Sequence, residues 1–173
     1  MKEMVIASAF VAKYGGIIVL SDLQGESLFP LLVERLNIYT DPQKPTQVEP
    51  KLYPIGEPTA DSPIFLTTNF SLTYFVVSGE IENAGISAWL VVPECEGMSV
   101  LTAWAAGKLS GASVAQFCRE IELDEKVNSR EIIIPGYAAR ISGELEESLP
   151  GWTVVVGPQE ASDLDDFIKA RVA

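Results

Sequence analysis

Histidine is absent from this chain of 173 residues. That removes the commonest general base, the commonest metal ligand and every Ser/His or Cys/His nucleophile pair. Cysteine is nearly as scarce. Cys95 and Cys118 are the only two and form no CxxC, so the chain encodes neither a zinc nor an iron–sulfur site. Two buried thiols in a reducing compartment are the plain reading. Cations are few: 12 Lys and Arg against 24 Asp and Glu give a net charge of −12. Such a surface repels phosphate backbones and anionic headgroups, which argues against nucleic-acid and membrane-surface roles. No apolar run approaches the ~20 residues that span a bilayer. The start, Met1 to Ala12, loosely resembles a signal peptide. Glu3 interrupts its basic region, however, Lys13 closes it, and Gly16 to Leu20 follows as a strand, so the expectation is a cytoplasmic protein.

What is present is a foldable chain, 47% apolar and 21% charged. Its length suits one ordinary domain, or one domain and a fragment. Six of the eleven prolines (Pro42, Pro45, Pro50, Pro54, Pro58, Pro63) crowd into one stretch. Residues 41–61 are therefore expected to be a stiff, extended connector between an N-terminal piece, 1–40, and a C-terminal domain, 62–173. The domain alternates strands with helices. Strands are expected at Ile64 to Thr68, Ile86 to Val92, Glu131 to Ile134 and Trp152 to Val156. Helices are expected at Ser71 to Asn83, Ser99 to Lys108, Ala112 to Ile121, Tyr137 to Leu149 and Glu160 to Arg171. Near-continuous apolar strands with short connections predict an α/β fold, a Rossmann-like or flavodoxin-like parallel sheet with helices on both faces. The N-terminal piece reads as helix (Met4 to Lys13), strand (Gly16 to Ser21) and helix (Ser27 to Leu36). One strand cannot bury both faces alone, so it belongs to a larger sheet. No internal repeat or low-complexity tract is present.

Ligands of open parallel sheets bind beyond the carboxyl ends of the strands. The loops there are Thr67-Thr68-Asn69-Phe70, Pro93 to Ser99, Pro135-Gly136-Tyr137 and Gly157-Pro158-Gln159-Glu160. Small residues in them let a flat or bulky ligand approach the backbone. Thr67, Thr68 and Asn69 read equally well as caps of the following helix. The small, hydroxylated helix Ser99 to Gly107 is either tight packing or a wall cleared for a planar cofactor. Trp89, Trp104 and Trp152 read as core, and the acidic clusters Glu144, Glu146, Glu147 and Asp163, Asp165, Asp166 as solvated faces. No GxGxxG follows a strand, and there is neither GxxxxGK[ST] nor GxSxG, so dinucleotide, Walker-type and triad-hydrolase sites lack support. A domain that holds a cofactor and lets it do the chemistry fits better.

Several long segments resemble the large (gamma) subunit of the corrinoid iron–sulfur protein. They are Thr67 to Phe75 with Ser78-Gly79-Glu80-Ile81-Glu82, Ser99 to Lys108, Ile134-Pro135-Gly136 with Gly143 to Glu147, and Gly151-Trp152 with Val156-Gly157-Pro158. Asn37 to Pro45 resembles that family's connector. The resemblance implies an N-terminal iron–sulfur domain, a TIM barrel and a C-terminal corrinoid-binding domain. The cysteine cluster and most of the barrel are not in this chain. The chain would then be the C-terminal corrinoid-binding part, preceded by the barrel's closing helix–strand–helix at 1–36. The implied function is a methyl carrier of the reductive acetyl-CoA pathway in an anaerobic bacterium or archaeon. Methyl-tetrahydrofolate or methyl-tetrahydropterin donates the methyl group to Co(I), and acetyl-CoA synthase receives it. Implied partners are the small subunit, the methyltransferase and acetyl-CoA synthase/CO dehydrogenase. By position, Thr102 would carry the hydroxyl nearest cobalt, with Thr67, Thr68, Asn69, Gly97, Ser99, Gly136, Gly157 and Pro158 lining the rest. With no histidine, a cobalamin-type cofactor is expected base-off. Two other readings stay open: a flavodoxin-like domain binding flavin or nucleotide at the same loops, and a cofactor-free subunit-docking domain.

Overall fold

A computed structural model describes residues 2–13, 15–22, 24–38 and 46–172. Residues 39–45, which include the first five of the expected connector, lie outside that set. The chain divides into two compact units, Met1–Lys44 and Pro45–Ala173.

In the first unit, helix α1 (Lys2–Ala12) and helix α2 (Gly25–Ile38) bury Ala7, Val11 and Leu31 together, with Met4, Ile18 and Leu20 packed against them. The strand expected at 16–21 is not formed as one. Ile18 and Leu20 turn inward while Ile17 and Val19 stand 90% and 86% exposed. The physical reason is the lack of a neighbour: a strand is defined by a ladder, and the described residues of this unit offer no second strand. Ser21 is instead tied by its amide and hydroxyl to the Glu3 carboxylate, at 2.6 and 2.7 Å.

The second unit is built on a five-stranded sheet in the order β1-β3-β2-β4-β5. Its strands are β1 (Lys51–Ile55), β2 (Ile64–Leu66), β3 (Ala88–Val92), β4 (Glu131–Ile134) and β5 (Thr153–Val156). The pairs β2/β3, β2/β4 and β4/β5 are parallel, but β1 runs antiparallel to β3, with Lys51 opposite Val92 and Ile55 opposite Ala88. Two expectations are corrected here. The sheet is mixed, not purely parallel, and part of the proline-rich stretch is a strand, not a connector. Pro54 fits because β1 is an edge strand, where a missing donor leaves no ladder bond unmade.

Helices cover both faces. Against one pack α4 (Val100–Ala105), α5 (Gly111–Glu120), α6 (Leu123–Lys126) and α7 (Ser142–Ser148), around Leu66, Val91, Ile132 and Ile134. Against the other pack α3 (Ser71–Asn83) and α8 (Leu164–Val172), around Phe65, Leu90 and Ile133. The helix expected over Tyr137 to Leu149 is a 3-10 turn, Gly136–Ile141, leading into α7. Gly111 lets α5 meet α7, since a Cβ there would stand 2.6 Å from the Glu144 carbonyl carbon. The Glu144 carboxylate accepts from the Gly111 amide at 2.8 Å, and Glu146 from the Val154 amide at 2.9 Å. Both residues, expected only on a solvated face, therefore also tie elements together. Trp152 is buried as expected, but Trp104 is 36% exposed, with the Arg140 guanidinium 5.4 Å from its ring centre.

Candidate functional site

The strand order reverses at β2: the chain adds β3 on one side of it and then β4 on the other, all three parallel. A cleft of about 330 Å³ opens at the carboxyl ends of β2, β4 and β5, where sheets of this kind seat ligands. Its floor is Phe65, Ile133 and Ile134. Leu72 and Val76 of α3 and Leu164 of α8 form one flank, and Ser99 and Leu101 the other. Glu160 is the one Asp or Glu among the described residues that line the cleft, and no described Lys or Arg lines it.

The structure divides the nine site residues expected from the sequence. Thr67, Ser99, Gly157 and Pro158 line the cleft together. Thr67 is 1% exposed and Thr68 fully buried, and neither hydroxyl has a hydrogen-bond partner. Buried hydroxyls are normally satisfied, so the orphaned Thr67 hydroxyl on the cleft wall is the kind of atom a bound ligand or water completes. Thr102 lies on the exposed side of α4, its hydroxyl 3.0 Å from that of Ser99.

Asn69 and Gly97 form a support behind the cleft. The buried Asn69 Oδ1 accepts from the amides of Cys95 and Gly97, each at 3.0 Å. Its Nδ2 donates to Glu94 at 3.0 Å and to Gln47 at 3.3 Å. This pins a turn in which Glu96 and Gly97 are both left-handed, at φ 54° and 67°. Glycine takes that conformation at 97 without the strain a side chain would bring. Asn69 does not cap α3, contrary to the capping alternative: the N-cap is Phe70, without a side-chain bond. Instead the segment 46–48 pairs with the start of α3. The Ser71 amide donates to the Thr46 carbonyl at 3.0 Å, and the Val48 amide to the Asn69 carbonyl at 2.9 Å.

Gly136 does not face the cleft but closes its wall. The loops after β4 and β5 are zipped by Gly157 N–H to the Ile134 carbonyl and Gly136 N–H to the Pro158 carbonyl, both 2.8 Å. A Cβ on Gly136 would stand 2.8 Å from the Gln159 amide nitrogen and 2.9 Å from the Gly157 oxygen. The same zip brings Tyr137 to Glu160, the phenol donating to Oε1 at 2.6 Å. This hydrogen bond, followed by the nearby negative charge, raises the Tyr137 pKa above its ordinary value.

Sequence reasoning did not select Tyr137, Gln159 and Glu160, although they stood in the strand-end loops. The choice favoured small residues over polar ones. Leu72 and Val76 of α3 were also missed. Their i, i+4 spacing is a signal, but the helix is apolar on several sides and its periodicity is weak. Cys95 and Cys118 are buried free thiols, each pushed up to about 12 by burial, with Glu94 and Asp124 adding to it. Among the described residues no group of three or more His, Cys, Asp or Glu could hold a metal ion.

Sheet and cleft together define an α/β domain with a ligand-sized site at its strand ends. Comparison with known proteins then makes the family specific. The family described as "CO dehydrogenase/acetyl-CoA synthase delta subunit" matches residues 1–168, and this chain belongs to it. Over all 173 residues the chain is 46% identical to the "Corrinoid/iron-sulfur protein large subunit" of Moorella thermoacetica, covering 39% of that protein. It is 39% identical over 168 residues to the "Acetyl-CoA decarbonylase/synthase complex subunit gamma" of Methanopyrus kandleri and 40% identical over 167 residues to that of Archaeoglobus fulgidus. It covers 36% and 35% of those two proteins. The chain thus spans little more than a third of the length of the curated relatives it matches.

Proposed function

We propose that the unit Pro45–Ala173 is the corrinoid-seating domain of a methyl carrier in acetyl-CoA synthesis, its cleft taking part of the cofactor. One observation carries the reading. A chain of this family has, at its sheet's reversal point, an apolar cleft without cations and with an orphaned Thr67 hydroxyl on its wall. A corrinoid is a large neutral-edged disc, and these groups suit it. When bound, it would supply the cobalt chemistry for carrying a methyl group between methyl-tetrahydrofolate or methyl-tetrahydropterin and acetyl-CoA synthase.

This chain's own residues bind and shield. Thr67, Ser99, Gly157 and Pro158 offer small contacts at the strand ends, and the Ser99–Thr102 hydroxyl pair offers neutral oxygens on the α4 side. Thr68, Asn69, Gly97 and Gly136 fix the loops that carry those contacts. With no histidine in the sequence, this chain has no imidazole to offer the cofactor, and the corrinoid would be held base-off. The iron–sulfur cluster of the relatives' name would be held by a part of the protein outside this chain.

The four parallel strands, in the order β3-β2-β4-β5, follow the flavodoxin-like order. Flavin or nucleotide binding is nevertheless disfavoured. Such ligands place phosphate on amides at the start of the first helix, and here segment 46–48 takes the Ser71 amide. The exposed Ile17 and Val19, opposite the inward Ile18 and Leu20, suit a strand buried on both faces. That supports reading residues 1–36 as the closing helix–strand–helix of a TIM barrel. The exposed Leu72 and Leu101 of the cleft, with the exposed Phe75 and Trp104 on the same two helices, suit docking of the small subunit, with the methyltransferase and acetyl-CoA synthase as further partners in a cytoplasmic pathway.

Titrating the chain with cobalamin and, separately, with flavin mononucleotide tests this. Uptake of cobalamin, with a Co(II) paramagnetic resonance spectrum free of axial nitrogen splitting, is expected. Uptake of the flavin alone would overturn the assignment, and a nitrogen triplet would overturn its base-off part.

A further inference from the structure

We propose that Glu160, positioned by Tyr137, is a specificity-determining residue that accepts a carboxamide N–H of the ligand and rejects an anionic group in its place. The inference rests on the corrinoid reading above and deepens it.

The pair is built, not incidental. Tyr137 and Glu160 come from different strand-end loops, and both line the cleft. Two main-chain bonds and the bare Cα of Gly136 clamp those loops together, so neither side chain needs to be ordered by the ligand. The phenol donates to Oε1 at 2.6 Å, which fixes the carboxylate and leaves Oε2 without a partner among the described residues.

The charge of Glu160 is also uncompensated. The ion pairs of the described residues engage Lys51, Lys108, Arg130, Lys169 and Arg171 with other acids, and none involves Glu160. Asp163 and Asp166 follow in the turn and helix behind it and add to the negative potential, while Asp165 is paired with Lys169. A phosphate or carboxylate brought to this corner meets like charge. A neutral amide meets a free, charge-strengthened acceptor. A corrinoid carries primary carboxamides around its ring, and hydrolysis of one gives an anion of nearly the same shape.

The test uses the full chain, cobalamin, and the set of cobalamin monoacids in which one ring propionamide has been hydrolysed. Binding is followed by visible absorbance. The wild type should bind at least one monoacid about tenfold more weakly than cobalamin, the size of one charge-assisted hydrogen bond. Glu160→Gln should bring that ratio to near unity, with an unchanged thermal midpoint. Tyr137→Phe should shrink it in part, and it carries the test alone if the first variant fails to fold. Binding of cobalamin with no discrimination among monoacids, or discrimination that persists in the variants, would overturn this inference alone. No binding of cobalamin by the wild type would overturn the corrinoid reading, and this inference with it.

Discussion

Replacing Gly136 by alanine measures how rigid the cleft wall is. The added Cβ would stand 2.8 Å from the Gln159 amide nitrogen, 2.9 Å from its Cγ and 2.9 Å from the Gly157 oxygen. Comfortable carbon contacts lie near 3.5–4.0 Å, so each is short by roughly half an ångström or more. The Gln159 side chain is exposed and can swing away, but the other two are main-chain atoms of a loop tied to Gly136 by its own amide. Gly136 is not left-handed, so the backbone itself tolerates alanine and the cost is contact alone. Overpacking of this kind costs about 1–3 kcal/mol. The lost freedom of the unfolded chain returns roughly 0.4–1 kcal/mol. The net is about 1–2 kcal/mol, or a fall in Tm of about 4–10 °C. Gly79→Ala, in the middle of α3 with open space at its Cβ, is the control and should stabilise by about 1 kcal/mol. Thermal unfolding by circular dichroism reads both. If Gly136→Ala melts at or above the wild type while the control behaves, the two loops can part, and the argument for a preset Tyr137–Glu160 corner collapses.

Asn69→Ala removes the acceptor of two buried amides, Cys95 and Gly97, and should lower stability by about 2–4 kcal/mol in urea titration, far more than Thr102→Ala on the exposed side of α4. Cys95 and Cys118 have pKa values raised by burial to about 12 from 9.0, so the native chain should resist thiol reagents at pH 8 until denaturant is added. The unfolded thiols lose protons first, so their contribution to stability is complete below about pH 9 and is lost as pH rises toward 12; a Cys95→Ala/Cys118→Ala variant should show a shallower alkaline loss. Starting the chain at residue 45 should leave a cooperative unfolding transition, whereas starting it at residue 59 should not, because the second cut removes β1 and the 46–48 segment.

Much of the second unit was legible because its parallel strands are apolar throughout. Ile132-Ile133-Ile134 and Leu90-Val91-Val92 are buried on both faces, and runs of that kind identify themselves. β1 was not legible. Lys51-Leu52-Tyr53-Pro54-Ile55 has little alternation and contains a proline, and only an edge position reconciles it with a ladder. The N-terminal strand failed for the opposite reason. Ile17 and Val19 have the right composition, but pairing depends on a neighbour that local sequence does not report. At the site, small residues pointed to the correct strand ends. They did not separate those that touch the cleft, such as Gly157, from those that hold its walls, such as Gly136 and Gly97. That distinction is a matter of which atoms face which, and Cβ clearance at Gly136 or the left-handed turn at Gly97 appears only once the loops are placed.

Segment 46–48 links the edge strand to the chemistry of the cleft. Its main chain occupies the first turn of α3, and its Gln47 side chain joins the Asn69 network that shapes the neighbouring loop. The amides that would otherwise favour an anion at the head of this helix are therefore partly engaged by the chain itself. Elsewhere on the cleft wall Glu160 presents a carboxylate, and no described Lys or Arg lining the cleft offsets it. The two features act in one direction: one withdraws donors from an anion, and the other repels it. What remains for recognition is apolar surface, the Thr67 and Ser99 hydroxyls and a carboxylate acceptor, a set that favours a large ligand with neutral hydrogen-bond donors at its edge over any phosphate-bearing one.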